Sequence, residues 1–217
     1  MRVLITAGPT YEPLDPVRFI GNHSTGKMGY ALAETFAANG AEVELISGPT
    51  NLPNPAHLNI RTQRVQTADE MFAAAAALAL TADVWVFAAA VADYKPAQVA
   101  ENKIKKQGNT LTLELVKNVD IAATLGETKR PEQFSVGFAL ETDNELAHAL
   151  DKLRRKNFDM VVLNSLRDAG AGFKHDTNKI TLLEANGNQT TFDLKPKSEV
   201  ALDIVRTVLA RLQPHHA

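Results

Sequence analysis

The chain has 217 residues, 45% of them apolar and 22% charged, with a formal net charge of −2 and no cysteine. That length supports one well-buried core rather than two comfortable domains, and the absence of cysteine excludes disulfides and thiolate metal sites. A near-neutral chain has no general attraction for nucleic acid or a membrane surface, and no stretch approaches the ~20 apolar residues that span a bilayer.

The chain opens on Arg2-Val3-Leu4-Ile5-Thr6, a strand pattern that leaves no room for a signal peptide and sets the expectation of a cytoplasmic protein. A long loop runs from Ala7 to Gly26, and a helix follows over about Lys27–Asn39, stopped by Gly40. Glu42–Ile46 reads as a second strand ending at Ser47-Gly48-Pro49, and Ile60–Val65 as a weaker third. Thr67-Ala68-Asp69-Glu70 is a capping box opening an alanine-rich helix over about 68–80. Asp83–Ala90 is apolar on both faces, as a buried parallel strand is. Residues 134–138 and 159–163 read as similar strands around a helix at about 143–157. Lys179–Glu184 and Gln189–Leu194 flank Asn186-Gly187, a hairpin signal, before a last helix at about 197–212 and a frayed tail, Pro214–Ala217. The alternation predicts an α/β fold: a Rossmann-like, mostly parallel sheet with helices on both faces and a C-terminal antiparallel hairpin appendage, all in one domain, 1–217.

Open α/β sheets hold ligands beyond the carboxyl ends of their strands, which directs attention to the segments after Thr6, Ala90 and Phe138. Gly21-Asn22-His23-Ser24-Thr25-Gly26-Lys27-Met28 nearly matches a phosphate loop. Met28 lacks the hydroxyl that would hold magnesium, and the motif lies far from its strand, so a P-loop NTPase is rejected. Small residues and a lysine at a helix start still expose backbone N–H groups to an anion; the alternative is a helix cap with no ligand. No G-x-G-x-x-G follows the first strand and no acid ends the second, which argues against a nicotinamide oxidoreductase. Ala88-Ala89-Ala90 would admit a flat ligand, with Asp93 nearby, or simply pack tightly against a helix. Lys103-Ile104-Lys105-Lys106 is either a solvated edge or a set of charges for a phosphate leaving group. Lys152 and Lys156 share one helix face. His23, His57, His148 and His175 show no metal-ligand spacing, and no metal ligand is assigned.

Taken in order, Ala7-Gly8-Pro9-Thr10, Asp15-Pro16-Val17-Arg18-Phe19-Ile20, Asn22 to Gly29, Ala89 to Tyr94, Lys103 to Lys106 and Val136 to Ala139 with Glu141-Thr142 resemble the bacterial phosphopantothenoylcysteine synthetase family. The resemblance implies a ligase of coenzyme A biosynthesis that joins 4′-phosphopantothenate to L-cysteine, with CTP and Mg2+, through an acyl-cytidylate. It implies catalytic roles for Asn22, Lys103 and Arg18, and nucleotide contacts from Phe87, Ala88, Ala89, Asp93, Lys103, Val119, Asp120, Ile121, Ala122, Phe138, Lys152 and Lys156. Gly8, Ser24, Thr25, Gly26 and Lys27 would form a phosphate or substrate loop. The family usually has proline at the position of Val119 and serine at that of Thr25. It further implies a homodimer and, in many members, a fused flavin-dependent decarboxylase domain. A non-catalytic nucleotide-binding module would explain the loop but leave Asn22 and Lys103 without roles.

Overall fold

Runs of Val, Ile and Leu that are apolar at successive positions need cover on both faces, and they become the centre of the sheet. The structure is a computed structural model that describes residues 1–106, 108–141, 143–165 and 176–212; Thr142, His175 and the expected tail lie outside them. In chain order the first elements are β1 (Arg2–Ala7), β2 (Tyr11–Pro13), β3 (Phe19–Gly21), α1 (Lys27–Ala38), β4 (Glu42–Ser47) and β5 (Ile60–Arg64). Next come α2 (Ala68–Ala79), β6 (Val84–Phe87), β7 (Tyr94–Pro96), β8 (Leu115–Lys117), α3 (Ile121–Gly126) and β9 (Phe134–Glu141). The last are α4 (Glu145–Arg155), β10 (Met160–Ser165), β11 (Thr177–Asn178), β12 (Ile180–Glu184), β13 (Gln189–Thr191), β14 (Lys195–Pro196) and α5 (Lys197–Leu212).

The main sheet has eight strands in the order β13-β12-β10-β9-β6-β1-β4-β5. The six from β5 to β10 are parallel, and in chain order they run 3-2-1-4-5-6, the order of a doubly wound dinucleotide-type fold. The direction of winding reverses between β1 and β6, and a crevice opens there beyond the strand ends. The Asn-Gly hairpin is the sheet's own antiparallel edge: β12 pairs with β10, and β13 with β12. It therefore continues the sheet instead of standing off it.

Two apolar layers hold the helices. α1 and α5 cover one face through Leu32, Phe36, Ile204 and Val208, against Val3, Ile5, Val86 and Val162. α2, α3 and α4 cover the other through Met71, Ala75, Ile121, Leu125 and Leu153, against Leu4, Trp85 and Val161. Thr67 and Glu70 form the expected reciprocal capping box at the start of α2.

Several expectations shift at the edges. Asp83–Ala90 yields only Val84–Phe87 as strand; Ala88 and Ala90 still donate to the Thr6 and Gly8 carbonyls, with one bridge from Pro9 to Ala90, and the run lines the crevice. The loop Ala7–Gly26 carries a small hairpin, β2–β3, with Tyr11 and Phe19 stacked at 3.8 Å. The second expected hairpin arm stops at Thr191, short of Leu194.

Candidate functional site

The crevice is a cavity of about 740 Å³ at the β1/β6 crossing, a size that suits a small metabolite or a nucleotide. Its lower wall is the start of α1. Gly26 sits there at φ 80°, in the left-handed region, and no side chain caps the helix, so the first-turn N–H groups of α1 are left for an anion. Gly29 makes the approach possible: a Cβ at that position would lie 2.5 Å from the Cβ of Ala7.

The back wall is the small-residue run Ala88 to Ala92 after β6, and the roof comes from Lys117 to Ala122 and from Phe138 to Leu140. Asn22 donates from Nδ2 to the Ala90 and Val91 carbonyl oxygens, at 3.0 and 3.2 Å, which fixes its amide over the mouth. On the far side Lys152 of α4 and Lys156, which caps its C-terminus, line the cavity, although a shared helix face of two lysines reads by default as a solvent face. Lys156 donates to Asp120 at 2.9 Å, and Asp120 also caps α3 by accepting from the Ala123 N–H. Burial opposes the charge on Asp120, but Lys156 and the Ala123 N–H outweigh it and hold its carboxyl below the ordinary value.

Most sequence-predicted positions meet here: Asn22, Ser24, Thr25, Gly26, Lys27, Phe87, Ala88, Ala89, Asp93, Val119, Asp120, Ile121, Ala122, Phe138, Lys152 and Lys156 all line the cavity. Gly8, Arg18 and Lys103 do not. Gly8, at φ 76°, supports the site from behind, against the Gly48 carbonyl. Arg18 is committed elsewhere: its Nε and Nη2 donate to Asp15 Oδ2 at 2.9 and 2.5 Å, and Nη2 also donates to the Ile104 carbonyl at 2.8 Å. The Arg18 guanidinium, aided by backbone N–H groups, holds the Asp15 carboxyl well below the usual carboxylate range. This pair fastens the lysine-rich segment at Ile104, while Lys103 stays exposed on the surface.

Sequence reasoning missed Asn118, Asn164, Asn178 and Lys197, which also line the cavity. They come from the loop after β8, from β10, from β11 and from the start of α5. Lys197 is buried, at 8% exposure. Burial and the neighbouring Lys27 push its ammonium below the ordinary lysine value, with Asp176 opposing. Lys27 itself pairs with Asp176 at 2.5 Å.

Residues 1–212 match the family model described as "DFP: DNA/pantothenate metabolism flavoprotein C-terminal domain". The chain is 50% identical over 96% of its length to a "Cysteine/Cysteine sulfinic acid decarboxylase" from an unknown prokaryotic organism, covering 58% of that protein. It is 46% identical over 98% of its length to the "Coenzyme A biosynthesis bifunctional protein CoaBC" of Haemophilus influenzae, covering 52% of it. The crystal structure of the C-terminal domain of a CoaBC protein superposes with a TM-score of 0.82 at 41% identity, covering 97% of this chain and 95% of that one. The chain thus spans a little over half the length of these two full-length relatives.

These findings correct the reading carried by the loop motifs. That reading implied the synthetase family, a phosphopantothenate–cysteine ligase, and CTP with Mg2+. The matched family is described by a flavoprotein, the 50%-identical relative is named a decarboxylase, and none of these names carries a ligase or CTP. The ligase assignment is set aside with its CTP and magnesium. Among the described residues no group of three or more His, Asp or Glu side chains could hold a metal ion.

The family description raises a flavin, and the cavity does not fit one. A tricyclic ring needs an open slot between flat apolar faces, but Phe87 and Phe158 pack on each other at 5.8 Å and are buried in the core. The remaining lining is mixed: Ala88 to Ala92, Val119, Ile121 and Phe138 stand among Asp93, Asp120 and several lysines. The decarboxylase name describes a longer protein, and we place no flavin in this pocket.

Proposed function

Because this chain belongs to the DNA/pantothenate metabolism flavoprotein C-terminal domain family, we propose that its cavity binds a phosphate-bearing pantothenate derivative of coenzyme A biosynthesis. The observation that carries the reading is the uncapped first turn of α1, opening into a cavity lined by Lys27, Lys152, Lys156 and Lys197. Ser24, Thr25, Gly26 and Lys27 would hold the phosphate, through backbone N–H groups aligned with the helix dipole and through the Lys27 ammonium, turned to it from Asp176. Asn22 would orient the ligand with the amide oxygen that its two carbonyl contacts leave over. Ala88 and Ala89 would admit the ligand closely, while Asp93, Phe138 and Val119 to Ala122 would enclose it. Gly8, Arg18 and Lys103 would act from outside the cavity, Arg18 by fixing the base of the lysine segment.

The same reading takes residues 1–217 as one domain of a cytoplasmic homodimer, with a flavin-dependent half belonging to the remaining length of proteins like its relatives. No described helix is long and apolar enough to cross a membrane.

Calorimetry and thermal melts with 4′-phosphopantothenate test the proposal. At a hundredfold excess over Kd the ligand should raise Tm by about 5–10 °C. Lys27→Ala should weaken binding roughly tenfold, as loss of a charged hydrogen bond does. Folded protein that ignores the probe would refute the reading.

A further inference from the structure

Three buried side-chain oxygens among the described residues have no hydrogen-bond donor: Oδ1 of Asn118, Asn164 and Asn178. All three line the same cavity. Chance would scatter such atoms through the molecule, and a buried amide oxygen without a donor lowers stability wherever it occurs. Asn164 and Asn178 are 8% and 3% exposed, so solvent does not satisfy them.

These two asparagines are brought together by the sheet. Asn164 ends its ladder opposite Ile180, and Asn178 precedes Ile180 by two residues. The Asn178 Nδ2 faces the Met28 sulfur at 3.9 Å, which turns its N–H side towards the first turn of α1. Lys197 joins them, because its backbone N–H donates to the Asp176 carbonyl at 2.9 Å and so seats the start of α5 beside β11.

We propose that Asn164, Asn178 and Lys197 form a subsite at the β10 end of the cavity for a hydroxyl- or amide-bearing arm of an anionic ligand. The arm's O–H or N–H donates to the asparagine oxygens, while Lys197 faces the anionic charge. An ammonium-bearing arm is disfavoured by Lys197 and Lys27 together. The subsite rests on the reading of the cavity as a phosphate-ligand site and specifies what else that ligand must carry.

The test uses the full chain and its Asn164→Leu and Asn178→Leu variants, with three probes. 4′-Phosphopantothenate brings a chain hydroxyl and an amide, cytidine 5′-monophosphate brings ribose hydroxyls, and inorganic phosphate brings neither arm. We expect each variant to lose about threefold to tenfold in affinity for one arm-bearing probe, the loss of one or two hydrogen bonds. Phosphate affinity should stay within about twofold, and the unliganded Tm should hold or rise, since an unpaired polar atom has been removed. Whichever probe shows the loss identifies the source of the arm. Variants that bind both arm-bearing probes as the wild type does would overturn the subsite. A wild type that binds none of the three would overturn the cavity reading itself, and the subsite with it. If a leucine variant does not fold, the alanine variant is held to the same affinity criterion.

Discussion

Lys197 illustrates how a single side chain acquires a role from burial. In the sequence it is the first residue of the expected last helix, and no motif singles it out. The fold buries it beside Lys27, and both effects favour its neutral form. Its folded pKa lies below the unfolded value of 10.5, so the unfolded chain binds more protons in the interval between them. Stability therefore rises with pH through that interval, and the full cost is present below it. Lys197→Met should be more stable than the wild type at neutral pH, with the difference shrinking as pH climbs towards the ordinary lysine range. Urea midpoints across that range would check it; a variant less stable at neutral pH would contradict the assignment. Arg18 is the opposite lesson. The family resemblance implied a catalytic role for it, yet Asp15, three residues away, already pairs with it. A local partner of that kind was present in the sequence as Asp15-Pro16-Val17-Arg18, a turn that closes on itself.

Among the elements, those with a period were legible and those without were not. α1, α2, α4 and α5 all carry an apolar face, and the capping box at Thr67 marked its helix to the residue. β7, β8 and α3 are three to six residues long, too short for any period to register, although each contributes to the lining of the cavity. The start of α1 combines both cases. Its glycines were visible, but the reason for Gly29 is tertiary: Ala7 on β1 fills the space a side chain would need. Gly29→Ala should cost about 1–3 kcal/mol, since neither the strand end nor the helix backbone yields easily. Chemical denaturation measures that loss, and the displaced helix start should also weaken phosphate binding. A variant with wild-type stability would mean that α1 can move off the sheet.

At the scale of the molecule the strand order 3-2-1-4-5-6 could be anticipated as a fold class, and the crevice followed from it. Which residues converge on the crevice from the C-terminal third could not, because Asn164, Asn178 and Lys197 belong to no motif and meet Thr6 and Lys27 only when the sheet is complete. That convergence has a kinetic side. A site assembled from both ends of the chain is among the last features to form, because loop-closure entropy delays contacts of high sequence separation. A ligand that needs the finished site has little to hold in the folding transition state. Bound ligand should accordingly leave the refolding limb of a denaturant chevron almost unmoved and depress the unfolding limb, acting as a brake on opening.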